Sequence, residues 1–173
     1  MIARAFQPRE AYPELEPLLE HWPEIRKEGE RIRPHMIWVD DDRTDGRSWA
    51  FAPLWPEEED RTPRLDAVSA DLRSRAPNTV KLAAAIPGLL GCGFSLLLGR
   101  SAIGIHCHSN PFVTAMLGLS VGRPCWIAAG PETRDIQSGD ILIFDYTFRH
   151  QVVNESADDR LVLLVLLPNK LRT

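Results

Sequence analysis

Gly104-Ile105-His106-Cys107-His108-Ser109-Asn110 sets two histidines two residues apart, between two apolar runs. On a β-strand successive side chains point to opposite faces, so positions i and i+2 share one. Read as strand, the stretch sends His106 and His108 toward one point and turns Cys107 away as a buried small hydrophobe. The flanks extend the reading. From Cys92 onward, short apolar runs at 92–99, 102–107, 112–121, 124–129, 141–144, 149–153 and 160–167 are separated by Gly, Pro, Asn, Asp and Ser. Runs so punctuated are strands of a sandwich or barrel, and seven of them predict a mainly β jelly roll. A third histidine, His150, lies far downstream in Phe144-Asp145-Tyr146-Thr147-Phe148-Arg149-His150. Two nearby imidazoles and a distant third can assemble a metal site inside such a barrel. On spacing alone, ordinary polar residues are the alternative.

Residues 1–90 have a different character, holding four of the five tryptophans (Trp22, Trp38, Trp49, Trp55). Residues 14–33 read as one or two helices, with Leu15, Leu18, Leu19, Trp22 and Ile25 at near-helical spacing. Pro17 and Pro23 mark helix starts or a break. Met36-Ile37-Trp38-Val39 is a short apolar run ended by a turn at Asp40-Asp41-Asp42. Residues 48–54 predict a strand with Trp49, Phe51 and Pro53 on one face. A polar loop follows at 56–63, then helices at 65–75 and 78–86, before Gly88 and Gly91 break the pattern. No repeat, low-complexity tract or linker divides the chain. We expect one domain, 1–173, with a helical N-terminal cover (1–90) and a jelly-roll core (91–173) that carries the metal site.

Composition narrows the functional classes. The 173 residues are 44% hydrophobic and 25% charged, as in an ordinary globular domain. A net charge of −4 and a pI near 5.7 give no reason to expect nucleic acid or an anionic membrane as partner. Cys92, Cys107 and Cys125 are an odd count without CxxC spacing, so neither a disulfide framework nor a zinc site is indicated. The first twenty residues carry Arg4, Arg9, Glu10, Glu14, Glu16 and Glu20 and no apolar core of a signal peptide. The run 161–167 is too short to span a bilayer. A cytoplasmic, reducing setting is the expectation.

The motifs become specific when taken in order. Asn110-Pro-Phe-Val-Thr-Ala-Met-Leu-Gly-Leu119, the block Gly139-Asp140-Ile141-Leu142-Ile143-Phe144-Asp145, and His150-Gln-Val-Val-Asn154 followed by Arg160 together resemble the aspartyl/asparaginyl β-hydroxylase family. Upstream, Trp22-Pro23-Glu24-Ile25-Arg26-Lys27-Glu28 resembles the family's Trp-x-x-Ile-Arg-x-Glu helix, and 49–54 its Trp-x-x-Phe-x-Leu strand. The likeness covers roughly residues 14–167. It implies a double-stranded β-helix, cupin-like fold and an iron(II)- and 2-oxoglutarate-dependent dioxygenase that hydroxylates a substrate with release of succinate and CO2. It further implies that His106 and His150 hold the iron, while Arg160 and Ser95 contact the distal carboxylate of 2-oxoglutarate. Imidazole suits Fe(II) and leaves positions open for cosubstrate and O2. A guanidinium is the natural partner of a carboxylate in a buried pocket.

Each residue also has a plainer reading. Arg160 follows Asp158-Asp159 and reads equally as a surface ion-pair residue; Ser95 as a strand serine. Asp145, Asn110 and Asn154 read as structural, Trp126 and Phe144 as core. His21 and His35, without partners, belong at the surface. Two departures from the family stand out. His108 occupies the position where related iron enzymes carry a ligating carboxylate, so it is either a third metal ligand or a substrate-facing group. Met116 and Thr114 replace basic residues of relatives, which makes the pocket more apolar and an aspartyl substrate in a secreted domain doubtful. A small metabolite or a peptidyl amino acid is the expected substrate. The alternative is a three-histidine cupin-like metal-binding protein or oxygenase that does not use 2-oxoglutarate.

Overall fold

A computed structural model describes residues 4–40, 42–44 and 46–172. Asp41, in the middle of the predicted acidic turn, lies outside the described residues. The chain opens with β1 (Phe6–Gln7), two short 3-10 turns, and the helices α1 (Glu16–Glu20) and α2 (Trp22–Ile32). Pro17 and Pro23 fall in the first turns of α1 and α2, where a missing N–H breaks no helical bond. The predicted break is therefore at His21. Next come β2 (Ile37–Trp38) and β3 (Trp49–Trp55), a 3-10 turn within the predicted loop, then α3 (Pro63–Arg75) and α4 (Pro77–Ala84).

α3 is capped by Thr62, whose hydroxyl accepts the Leu65 N–H at 3.1 Å. α4 is capped from a distance. Glu28 of α2, 2% exposed, accepts the backbone N–H groups of Asn78 and Thr79 at 3.0 and 2.8 Å, and their side-chain donors at 3.0 and 2.6 Å. The glutamate of the N-terminal motif thus ties α2 to α4 and takes no part in the central cavity.

The remainder is strand: β4 (Gly91–Leu97), β5 (Ser101–His106), β6 (Phe112–Ser120), β7 (Cys125–Ala129), β8 (Glu132–Asp135), β9 (Ile141–Asp145), β10 (His150–Asn154) and β11 (Arg160–Pro168). They form two antiparallel sheets, one in the order β1-β9-β6-β11-β4-β3-β2 and the other β5-β10-β7-β8. This is the predicted mainly β jelly roll. All seven predicted core strands are present within a residue or two at each end. β8 is the addition. Its Glu132-Thr133-Arg134-Asp135 sequence has no apolar alternation because it is a solvated edge strand.

Two apolar cores result. The helices pack on the outer face of the large sheet, where Leu15, Leu18, Ile25, Ile32 and Leu72 meet Phe94, Leu117, Leu163 and Val165. The second core lies between the sheets, around Leu97, Ile103, Met116, Ile127, Phe144, Val152 and Val162. Phe144 is core as expected, but Trp126 is only half-buried, its indole N–H donating to Glu155 at 2.8 Å. The N-terminal segment does more than cover: β1, β2 and β3 extend the large sheet at both edges.

Gly118 shows how closely these layers meet. A Cβ there would lie 2.0 Å from the Gln137 carbonyl oxygen. The bare backbone instead donates to Asp140 O at 2.9 Å and accepts from Gly139 N at 2.8 Å. Leu117 and Leu119 on either side are fully buried, so the Leu-Gly-Leu triplet is a packing motif around one close backbone approach.

Candidate metal centre

Three histidines converge between the sheets. His106 ends β5, His150 begins β10, and the two are Cα partners across the antiparallel pair. Their rings lie 4.2 Å apart, centroid to centroid. His108 reaches the same point by a different route from the one predicted. The strand stops at His106, and His108 lies in the following loop, its N–H donating to Tyr146 O at 3.2 Å and its ring stacked on Tyr146 at 3.6 Å. The i, i+2 argument thus reaches the right neighbour for the wrong reason, and Cys107 is exposed rather than buried. One nitrogen from each of His106, His108 and His150 lies within 4.8 Å of the others, a group that can hold a metal ion.

The tautomers favour it. His106 Nδ1 lies 2.7 Å from Gly104 O and His150 Nδ1 lies 2.8 Å from Phe148 O. A carbonyl accepts only from N–H, so each ring keeps its proton on Nδ1 and presents the Nε2 lone pair. His108 Nε2 is buried without a hydrogen-bond partner. Burial first, then neighbouring positive charge from His106 and Arg43, pushes His108 and His150 down to about 4, so both rings are neutral at physiological pH. Neutral rings are what a metal requires. On donor set, the three residues fit a divalent cation such as Fe(II).

The same cavity, about 720 Å3, holds Arg160, Ser95, Thr114 and Met116. Arg160 is 1% exposed, which excludes the surface ion-pair reading; that role belongs to Asp159, which pairs with Arg33. Arg160 donates to Ser95 Oγ at 3.2 Å and toward Met116 Sδ at 3.7 Å, while its Nε has no partner. No carboxylate of a described residue pairs with it, and burial draws its pKa down to about 10, leaving it charged at neutral pH. Ser95 Oγ also accepts from Trp49 Nε1 at 3.0 Å. With both lone pairs engaged, its O–H is left to donate into the cavity. Three buried polar atoms without partners, His108 Nε2, Thr114 Oγ1 and Arg160 Nε, thus line one space.

Strand register orders that space. Trp49 and Arg160 both pair with Leu97, and Asn154 reaches the Leu97 and Leu98 carbonyls from the other sheet. His150 lies four residues back along β10, about 13 Å at strand rise. The Arg160 backbone therefore starts at one end of the space, and its guanidinium reaches back along β11 to Ser95 and Met116. Asn154, which also donates to Asp158 O at 2.8 Å, and Asp145, which accepts from Thr147 N at 2.9 Å, are structural as predicted. His21 and His35 are at the surface. Tyr146 and Arg43 were not singled out by the sequence. Tyr146 stands one residue beyond a matched block, and Arg43 sits in an acidic turn without an apolar pattern.

Comparison with known proteins places this architecture. The family model for aspartyl/asparaginyl β-hydroxylases matches residues 19–169. The human aspartyl/asparaginyl β-hydroxylase is 26% identical over 166 residues, covering 89% of this chain and 21% of that protein. The mouse protein is likewise 26% identical, over 171 residues, covering 91% of this chain and 22% of its own length. The chain thus spans about a fifth of the curated relatives it matches. Among solved structures, a Pseudomonas putida prolyl-4-hydroxylase superposes with a TM-score of 0.54 at 15% identity, covering 88% of each chain. This likeness bears on the fold alone. With the family match running through both sheets and all three histidines, the chain belongs to the aspartyl/asparaginyl β-hydroxylase family.

Proposed function

We propose that the protein is an iron(II)- and 2-oxoglutarate-dependent dioxygenase that hydroxylates a C–H bond of a small-molecule or peptidyl amino-acid substrate. The observation that carries this reading is Arg160: a buried guanidinium without a carboxylate partner among the described residues, sharing a cavity with three histidines that can hold a metal ion. An unpaired buried charge is costly, and an anionic ligand would compensate it. His106, His150 and His108 would hold the iron. Arg160 and the Ser95 hydroxyl would bind the distal carboxylate. Bound iron with 2-oxoglutarate and O2 supplies the oxidising chemistry, with succinate and CO2 as coproducts. The protein's own part is orientation. Gly104 O and Phe148 O fix two imidazoles, Tyr146 stacks on the third, and Trp49 holds Ser95 in line with Arg160.

Purified protein with Fe(II) should release succinate from 2-oxoglutarate even without substrate, and Arg160→Ala should abolish both release and binding. Failure of the iron-loaded protein to bind 2-oxoglutarate at all would overturn the reading. A second reading, a three-histidine metal protein that does not use 2-oxoglutarate, draws on His108 completing the cluster. Under it, His108→Ala weakens metal binding and Arg160→Ala changes nothing at the centre.

A further inference from the structure

The three imidazoles are not held alike. His106 ends β5 and His150 begins β10, and each ring is turned by a backbone carbonyl, Gly104 O at 2.7 Å and Phe148 O at 2.8 Å from Nδ1. His108 lies two residues beyond β5, in the loop that leads to β6. Its ring is set by an aromatic face instead. Tyr146 lies flat against it, the two centroids 3.6 Å apart and the planes within 6° of parallel. Both rings line the central cavity.

The backbone of Tyr146 pins the same loop. Its N–H donates to Phe112 O at 2.9 Å and its carbonyl accepts from His108 N at 3.2 Å, so one residue holds both ends of 108–112. The turn that carries Tyr146 is tied down in its own right. Asp145, 3% exposed, accepts the Thr147 N–H and hydroxyl at 2.9 and 2.7 Å and the Asn169 side-chain amide at 2.9 Å.

Aromatic pairs ordinarily prefer offset or edge-on contact, with centroids about 4.5–7 Å apart. A closer face-to-face pair gains when one ring is electron-poor, because the π face of the other is negative. An imidazole that donates its lone pair to a divalent cation is such a ring. The Tyr146 face therefore favours a ligating His108 over a free one.

We propose that Tyr146 is a positioning residue that sets the ligand number of the metal centre. Its ring keeps His108 beside the other two imidazoles, and without that face the centre falls back to His106 and His150. The proposal rests on the metal centre of the dioxygenase reading and not on its cosubstrate.

Co(II) binding to the purified protein tests it, because the d–d absorption reports ligand number and geometry while competition with a chelator gives the affinity. Tyr146→Phe keeps the aromatic face and should leave both as in wild type. Tyr146→Leu keeps apolar bulk without the face. It should lower affinity about tenfold, the lower end of the loss when a group that orients a metal ligand is removed, and give the spectrum of His108→Ala. Tyr146 is half-buried and only its side chain changes, so the two backbone bonds to the loop are retained. In the His108→Ala protein, Tyr146→Leu should cost nothing further, whereas a general loosening of the cavity would add to the loss. Unchanged affinity and spectrum in Tyr146→Leu, equal losses in the Phe and Leu variants, or additive losses in the double variant would overturn the proposal. A wild-type spectrum from His108→Ala would overturn it as well, since His108 would not be a ligand. If Co(II) binding depends on the Tyr146 face but the loaded protein takes up no 2-oxoglutarate, the dioxygenase reading falls and the positioning role stands.

Discussion

Arg160 is the residue whose chemistry most constrains the molecule. It begins β11, is almost wholly buried, and carries a charge that its protein neighbours answer with a hydroxyl and a thioether. Sequence spacing alone left it level with a surface arginine, because Asp158 and Asp159 before it look like partners. Only burial separates the two readings, and burial depends on β4 and β6 flanking it. Replacing Arg160 by Met should raise the stability of the ligand-free protein by about 1 kcal/mol or more, since an unpaired buried cation is removed, while eliminating the thermal shift produced by 2-oxoglutarate. A melting series with and without the dicarboxylate measures both. The histidines set a pH dependence. His108 and His150 sit near 4 in the fold, chiefly through burial, against an ordinary value of 6.5. Between about pH 6.5 and 4 the unfolded chain therefore holds more protons than the folded one, so metal-free protein should lose stability as pH falls through that window. Bound divalent metal should add most stability near pH 7 and progressively less below it. Melting temperatures across pH 4–8, with and without Zn(II), test the sign.

At the scale of elements, most of the strand ladder was legible because apolar runs and Gly, Asp or Asn turns alternate along 92–168. The exceptions have physical causes. β8 buries little and so carries no apolar pattern, while the trio of histidines depends on a loop whose path is fixed by the His108–Tyr146 backbone bond. The motif positions are of two kinds. Glu28 and Gly118 build the frame; Ser95 faces the cavity. Glu28→Ala removes four acceptor contacts at the start of α4 and should cost about 2–3 kcal/mol by denaturant titration, with metal binding retained in the folded fraction. Gly118→Ala forces its Cβ onto the Gln137 carbonyl and should cost about 1–3 kcal/mol. An unchanged midpoint in either variant would show that these contacts are dispensable.

At the scale of the whole molecule, support is unequal. The large sheet is backed by all four helices and their core, whereas the small sheet has one face toward the cavity and the other half-exposed. The imidazoles of His106 and His150 belong to the small sheet and Arg160 to the large one. A metal-bound dicarboxylate that touched both would act as a rivet between a braced plate and an unbraced one. Amide hydrogen exchange in β5 and β10 should then slow more with Zn(II) and 2-oxoglutarate together than the sum of either alone, and β4 and β11 should change little. In that event, what fills the barrel would also be what keeps its thinner wall from opening.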